Sequence, residues 1–142
     1  MIVVDVNLLL YAVISGFPQH PAAREWWEEQ LNGAGDVGLS SPSVFGFLRI
    51  ATNPRVLARP MSIEEAIGHV RTWLDRPNVH FLVPGARHLD LAFGLLTGVG
   101  TAGNLTTDAQ LAAYALEQDA EMDSNDTDFA RFAGLRWVNP LA

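Results

Sequence analysis

The sequence contains no cysteine and no lysine; all nine basic residues are arginines. The first absence excludes disulfides, thiolate metal sites and thiol nucleophiles. The second excludes Walker-type phosphate loops, Schiff-base chemistry and phosphotransfer sites that set a lysine beside their aspartates. Long apolar runs are missing too. No segment approaches the ~20 residues that span a bilayer, and the apolar start Met1–Val4 is cut short by Asp5, too soon for a signal peptide. The expectation is a cytoplasmic protein without a membrane segment.

What is present suits one folded unit. A chain of 142 residues with 49% hydrophobic side chains has the length and the apolar material for a single core, so the whole of 1–142 is read as one domain. The formal charge of −7 argues at first against a nucleic-acid partner.

Strand and helix signals alternate along the chain. Ile2-Val3-Val4 is a β-branched run that suits a strand buried on both faces, and Asn7 to Val13 reads as a helix. Pro21 sits where a first-turn proline is tolerated, ahead of an amphipathic helix over Ala22 to Leu31. Val37 to Leu39 is a second strand, and Ser41-Pro42 reads as cap and first turn of a helix to about Thr52. Ser62 followed by Glu65 matches a capping box for a helix reaching Arg76-Pro77. Further strands are expected at Val79 to Val83, Glu121 to Ser124 and Arg136 to Val138, with helices over His88 to Thr97 and Thr107 to Gln118. Such alternation implies right-handed crossovers and a parallel sheet covered on both faces, an α/β fold.

In open parallel sheets the functional crevice lies beyond the carboxyl ends of the strands. Asp5 directly follows the first strand, Asp126 and Asp128 follow the fourth, and Asp108 lies in the first turn of the helix before it. Carboxylates gathered at one place repel one another unless a cation sits among them. Oxygen ligands without thiols favour a hard ion, Mg²⁺ or Mn²⁺, and such ions serve phosphoryl chemistry. Each aspartate alone is as readily an Asx-turn or helix-dipole residue; three segments converging on one crevice carry the inference.

The segments Ile2-Val3-Val4-Asp5-Val6-Asn7-Leu8-Leu9-Leu10-Tyr11-Ala12, Gly46-Phe47-Leu48-Arg49-Ile50-Ala51-Thr52-Asn53-Pro54-Arg55-Val56, Gly103-Asn104-Leu105-Thr106-Thr107-Asp108-Ala109 and Ser124-Asn125-Asp126-Thr127-Asp128-Phe129-Ala130-Arg131-Phe132 resemble, in this order, the motifs of PIN-domain ribonucleases of VapC type. The ending Leu135 to Leu141 is similar as well, so the likeness covers essentially the whole chain. The resemblance implies a PIN-like α/β/α sandwich with a five-stranded parallel sheet in the order 3-2-1-4-5. It implies a Mg²⁺-dependent endoribonuclease toxin, with Mn²⁺ able to substitute, that cleaves structured RNA such as tRNA or rRNA and so inhibits translation. A homodimer and neutralisation by a cognate VapB-like antitoxin are implied too.

By position, Asp5, Asp108 and Asp126 match the family's catalytic and metal-binding acids, Asp128 an additional metal-binding acid, and Asn7 a supporting residue. Two departures stand out. Where many relatives carry a glutamate in the third helix this chain has Gly46, and no acid lies between Asp36 and Glu64. The site then works with fewer carboxylates, or Ser41, Ser43 or a water supplies an oxygen; Ser43 is retained as a support residue. Asp123 interrupts the expected fourth strand, where a buried charge is costly unless paired; either it sits near the metal or the strand is shorter than read, and the shorter strand is favoured.

Arg49, Arg55 and Arg59 fall in the acid-free stretch and are candidates for RNA phosphates. The four histidines are spread over different elements with no metal-ligand spacing, and Trp26, Trp27, Trp73 and Trp137 are assigned to packing. A catalytically degenerate PIN-fold binding or scaffold protein is the alternative to the enzyme. An aspartyl-nucleophile phosphatase, superficially suggested by Asp5-Val6-Asn7, lacks both its second acid and a lysine. The acidity itself is local: setting aside Asp5, Asp108 and the six acids from Glu117 to Asp128 leaves eight acids against nine arginines, a net +1.

Overall fold

The computed structural model describes residues 1–142. Five strands, β1 (Ile2–Val4), β2 (Val37–Leu39), β3 (Val79–Phe81), β4 (Glu121–Asp123) and β5 (Trp137–Val138), form one sheet in the order β3-β2-β1-β4-β5. Every pairing is parallel. The six helices are α1 (Val6–Val13), α2 (His20–Asn32), α3 (Ser41–Ala51), α4 (Ile63–Leu74), α5 (His88–Val99) and α6 (Thr106–Glu117). The architecture is the α/β/α sandwich that the alternating pattern and the motif resemblance led one to expect.

The central strand shows why the sheet needs helices on both sides. Val3 and Val4 are both wholly buried, and their side chains point to opposite faces. Val4 joins the core beneath α1 to α4 with Leu8, Leu9, Val37, Leu39 and Phe47. Val3 joins the other, with Met122, Leu111, Ala112, Ala115 and Phe129 beneath α5 and α6. In the first core Trp73 meets Trp27 edge-on at 5.6 Å and Phe47 at 5.0 Å, so two of the four tryptophans lie deep inside. Truncating a wholly buried leucine such as Leu8 to alanine would cost about 2–5 kcal/mol.

Local signals set most helix ends. Ser62 accepts from the Glu65 N–H at 3.1 Å, the first half of the expected capping box. Helix α5 stops at Gly100, which takes the left-handed conformation at φ 87°. One cap is shifted from its expected place: Ser40, not Ser41, caps α3, its hydroxyl accepting from the Ser43 N–H at 3.4 Å. Pro42 therefore occupies the second helical position, where its missing N–H costs nothing because first-turn amides have no intrahelical acceptor.

Asp123 departs further from expectation. The strand ends one residue early, but at Asp123 rather than before it, and Asp123 pairs in register with Val4. Its side chain is 3% exposed and its Oδ1 has no hydrogen-bond partner. Burial is the main cause that raises its pKa, followed by a hydrogen bond to Glu121 and the Glu121 charge. The carboxyl is tolerated in the strand because it can stay protonated.

The histidines serve structure. His20 Nδ1 lies 2.8 Å from the Tyr11 carbonyl, His80 Nε2 2.9 Å from Asp36, and His88 Nδ1 3.4 Å from Glu117. No helix is long and apolar enough to cross a membrane.

Candidate metal centre

The carboxyl ends of β1 and β4 lie side by side, because β1 pairs directly with β4 although more than a hundred residues separate them. Residues following each strand therefore meet at one edge of the sheet. Asp5 follows β1 and caps α1, its Oδ1 accepting from the Val6 N–H at 2.7 Å. Asp126 follows β4 and caps a short 3-10 turn over Thr127–Arg131, its Oδ1 accepting from the Asp128 N–H at 2.9 Å. Asp108 lies in the first turn of α6. Turn and capping roles are thus real for Asp5 and Asp126, and they fix the directions in which the remaining lone pairs point.

Asp108, Asp126 and Asp128 each place one carboxylate oxygen within 4.8 Å of the others, and all three are half-buried. Asp5 stands behind them, 7% exposed. The electrostatic cost of this arrangement falls on Asp108. Burial first, then the negative charges of Asp5, Asp126 and Asp128, push its pKa up from 3.8 to about 7. Asp5 is also raised, chiefly by burial and slightly by Asp126, against the lowering effect of hydrogen bonds from Ser124 and the Val6 N–H.

Ser124 is the residue that sequence reasoning missed. Wholly buried at the end of β4, it donates its hydroxyl to Asp5 Oδ2 at 2.6 Å and accepts from the Asp126 N–H at 2.9 Å. Asn7 adds a third bond, its Nδ2 donating to the same hydroxyl oxygen at 3.3 Å, while its Oδ1 accepts from the Asn125 N–H at 3.5 Å. The Trp137 indole N–H holds the Ser124 carbonyl at 3.0 Å from β5. A serine directly after a strand and two residues before an aspartate was the available signal.

Ser43 proves to be a brace rather than a spare oxygen. Its hydroxyl, wholly buried, donates to the Val4 carbonyl at 2.7 Å and so holds the end of β1 that carries Asp5. Gly46 is buried one turn further along α3, and a Cβ there would meet Val6 Cγ2 at 2.7 Å. In this chain Val6 thus occupies the space into which a side chain at position 46 would begin to grow.

The arginines are dispersed. Arg49, together with Phe45, Gly46, Thr107 and Gln110, lines a cavity of about 800 Å³ between α3 and α6; Thr107 is the residue before Asp108, but none of the four acids lines the cavity. Arg55 is exposed in the turn after α3. Arg59 lines a different cavity of about 770 Å³ at the far end of α1, with Val13, Ile14, Phe17 and Met61.

The donor set fits a hard divalent cation. Three carboxylates packed so closely repel one another without one, as the raised Asp108 records, and they offer only oxygen. Asp108, Asp126 and Asp128 would hold the ion, with Asp5 near enough to add its charge.

Comparison with known proteins agrees with this geometry. The PIN domain family pattern matches residues 2–135. The chain is 60% identical over 141 residues to Ribonuclease VapC33 of Mycobacterium tuberculosis, covering 99% of both proteins. It is 42% identical over 142 residues to Ribonuclease VapC37 of the same organism, covering 100% of this chain and 99% of that one. Among solved structures, VapC20 of Mycobacterium tuberculosis, described as a sarcin-ricin loop cleaving toxin, superposes with a TM-score of 0.70 at 17% identity, covering 96% of this chain and 99% of that one. The VapBC2 complex of Rickettsia felis on promoter DNA gives 0.72 at 17% identity, covering 98% of both chains. At such identity these structures speak for the fold.

Proposed function

The chain belongs to the PIN-domain family, in its VapC branch, and from that premise we propose that it is a Mg²⁺- or Mn²⁺-dependent endoribonuclease toxin that cuts structured RNA, tRNA or rRNA, and thereby inhibits translation. The observation that supports this most directly is the trio Asp108, Asp126 and Asp128 within 4.8 Å at the carboxyl edge of the sheet, backed by buried Asp5.

When bound, a divalent cation supplies Lewis-acid activation of water and stabilises charge on the phosphodiester oxygens. The chain's own contribution is to hold the acids ready. Ser124 and the α1 amide fix the orientation of Asp5, and the Asx turn fixes that of Asp126. Asn7 and Trp137 hold Ser124 in turn. Asp108, pushed to about 7, carries a proton for part of the time at neutral pH and gives it up when a cation arrives. Arg49, in the cavity that borders the start of α6, suits an RNA phosphate; Arg55, exposed in the next turn, suits a more distant one.

Regulation follows the family pattern: a cognate VapB-like antitoxin covers the acidic edge, the toxin is a homodimer, and both act in the cytoplasm. Purification together with a small protein encoded alongside is the expected sign of that pairing.

Asp5→Asn and Asp108→Asn should each abolish cleavage and growth arrest on induced expression, and sequencing new RNA 5′ ends would identify the target. Retained Mg²⁺-dependent cleavage in both variants would overturn the proposal. Calorimetric titration with Mn²⁺ separates the enzyme from a degenerate scaffold, which would take up no metal.

A further inference from the structure

The cavity between α3 and α6 has a composition that the acidic cluster does not account for. Along α3, Pro42, Phe45, Gly46 and Arg49 recur at the spacing of one helical face; along α6, Thr107, Gln110 and Tyr114 do the same. The two faces oppose each other across about 800 Å³, within the range that holds a drug-sized ligand and enough for a nucleotide. Thr107 immediately precedes Asp108 in the first turn of α6, so the cavity borders the segment that carries Asp108, although none of the four acids lines it.

Three features of its lining are unspent. Phe45 is 63% exposed although its helix neighbours Val44, Gly46 and Phe47 are buried. Arg49 is in none of the protein's ion pairs, which use Arg24, Arg136, His80 and His88. The Gln110 amide and the Tyr114 hydroxyl are engaged by no side-chain hydrogen bond within the protein. An aromatic platform, a free guanidinium and uncommitted amide and hydroxyl groups are what a single-stranded nucleotide needs: a stacking surface, a phosphate partner, and donors and acceptors for base edge or ribose.

We propose that the α3–α6 cavity is a nucleotide subsite next to the scissile phosphodiester, in which Phe45 stacks on an unpaired base, Arg49 binds the adjoining phosphate, and Gln110 and Tyr114 hydrogen-bond the base or ribose. The subsite rests on the ribonuclease reading and deepens it, since it makes the substrate an unpaired RNA segment, such as a loop, rather than a duplex. Gly46 is also in its lining, and a side chain there would start into Val6.

The test uses the full-length protein with a short fluorescein-labelled single-stranded RNA of mixed sequence, its binding read by fluorescence anisotropy in EDTA so that no turnover occurs. Phe45→Ala should weaken binding by about 5- to 150-fold and Phe45→Tyr should restore it, the range expected for losing one base–aromatic stack. Arg49→Gln should reduce the slope of log affinity against log salt by about 0.7, as for one phosphate contact to a single strand. In Mn²⁺-supported cleavage of a loop-containing transcript, both variants should raise KM more than they lower kcat. Wild-type affinity and KM in both variants would overturn the subsite while leaving the ribonuclease reading intact. Tight, Phe45-dependent RNA binding with no cleavage by the wild type would do the reverse. A Phe45→Ala protein that loses dimer mass in sedimentation yet binds RNA as before would assign the face to a second copy of the chain and overturn the subsite.

Discussion

The hydroxyl of Ser124 donates to Asp5 Oδ2 across 2.6 Å, tying the end of β4 to the end of β1. This bond stabilises the ionised form of a carboxyl whose pKa burial raises. The same oxygen accepts from the Asp126 N–H and from Asn7, so one small residue sets the relative positions of two acids.

Ser124→Ala should therefore push the Asp5 pKa further up and let the Asp5 and Asp126 segments separate. Mn²⁺ affinity, measured by calorimetry, is expected to fall by about 10- to 100-fold, the usual cost of removing a residue that supports a metal ligand. Unchanged affinity in a folded variant would show that Asp5 is held by its α1 capping bond alone.

The apo protein should lose stability as pH rises from about 4 to 7. Asp108 is raised from 3.8 to about 7 in the folded state, so between those values the folded chain binds the extra proton and unfolding becomes easier as pH rises through the window. Added Mn²⁺ should reverse the trend, raising Tm more at pH values above 7 than below, because the cation competes with that proton. Thermal melts across pH, with and without Mn²⁺, check both signs, and Asp108→Asn should flatten the apo slope.

Asp123 makes the same argument away from the acidic trio. Burial and then Glu121 raise its carboxyl from 3.8 to about 8, so stability is lost as pH rises from about 4 to 8 and changes no further above that. Asp123→Asn, which cannot ionise, should match the wild-type Tm below about pH 4 and exceed it by a margin that grows up to about pH 8. A variant less stable than the wild type at every pH would mean that the carboxyl makes a contact the amide cannot.

Gly46→Ala should destabilise the fold by about 1–3 kcal/mol, as overpacking does, because the new Cβ meets Val6 Cγ2 at 2.7 Å. Val6→Ala should relieve it, so that a double-mutant cycle in urea shows a favourable coupling between the two positions. Additive losses would place the cost elsewhere in α3.

Much of the architecture was legible along the chain because its signals are local. Ile2-Val3-Val4 followed by Asp5, the Ser62–Glu65 cap and the prolines at helix starts act within a few residues, and the structure has the expected elements within one or two positions. The motif order carried the sheet order as well. The misplaced α3 cap and Asp123 show the limit. Ser40 and Ser41 are equally good caps in sequence, and which one serves depends on how β2 delivers the chain to α3. Asp123 reads as foreign to a strand until its neighbour Glu121 and its buried position allow it to stay protonated.

The site divides in the same way. The sequence by itself determined the chemistry available: no thiol, no lysine, and aspartates placed just beyond strand ends, which leaves hard-cation chemistry as the natural outcome. Only the tertiary structure decided that Asp108, Asp126 and Asp128 form the tight trio while Asp5 stands behind them on Ser124, that Val6 closes the space beside Gly46, and that Arg49 shares a cavity with Thr107, next to Asp108 in the chain, while Arg59 lines a different one. The physical reason is that β1 and β4 are neighbours in the sheet but more than a hundred residues apart in the chain. Distances of a few ångströms between side chains on separate crossovers are set by how the helices pack on the sheet, and no local pattern encodes them.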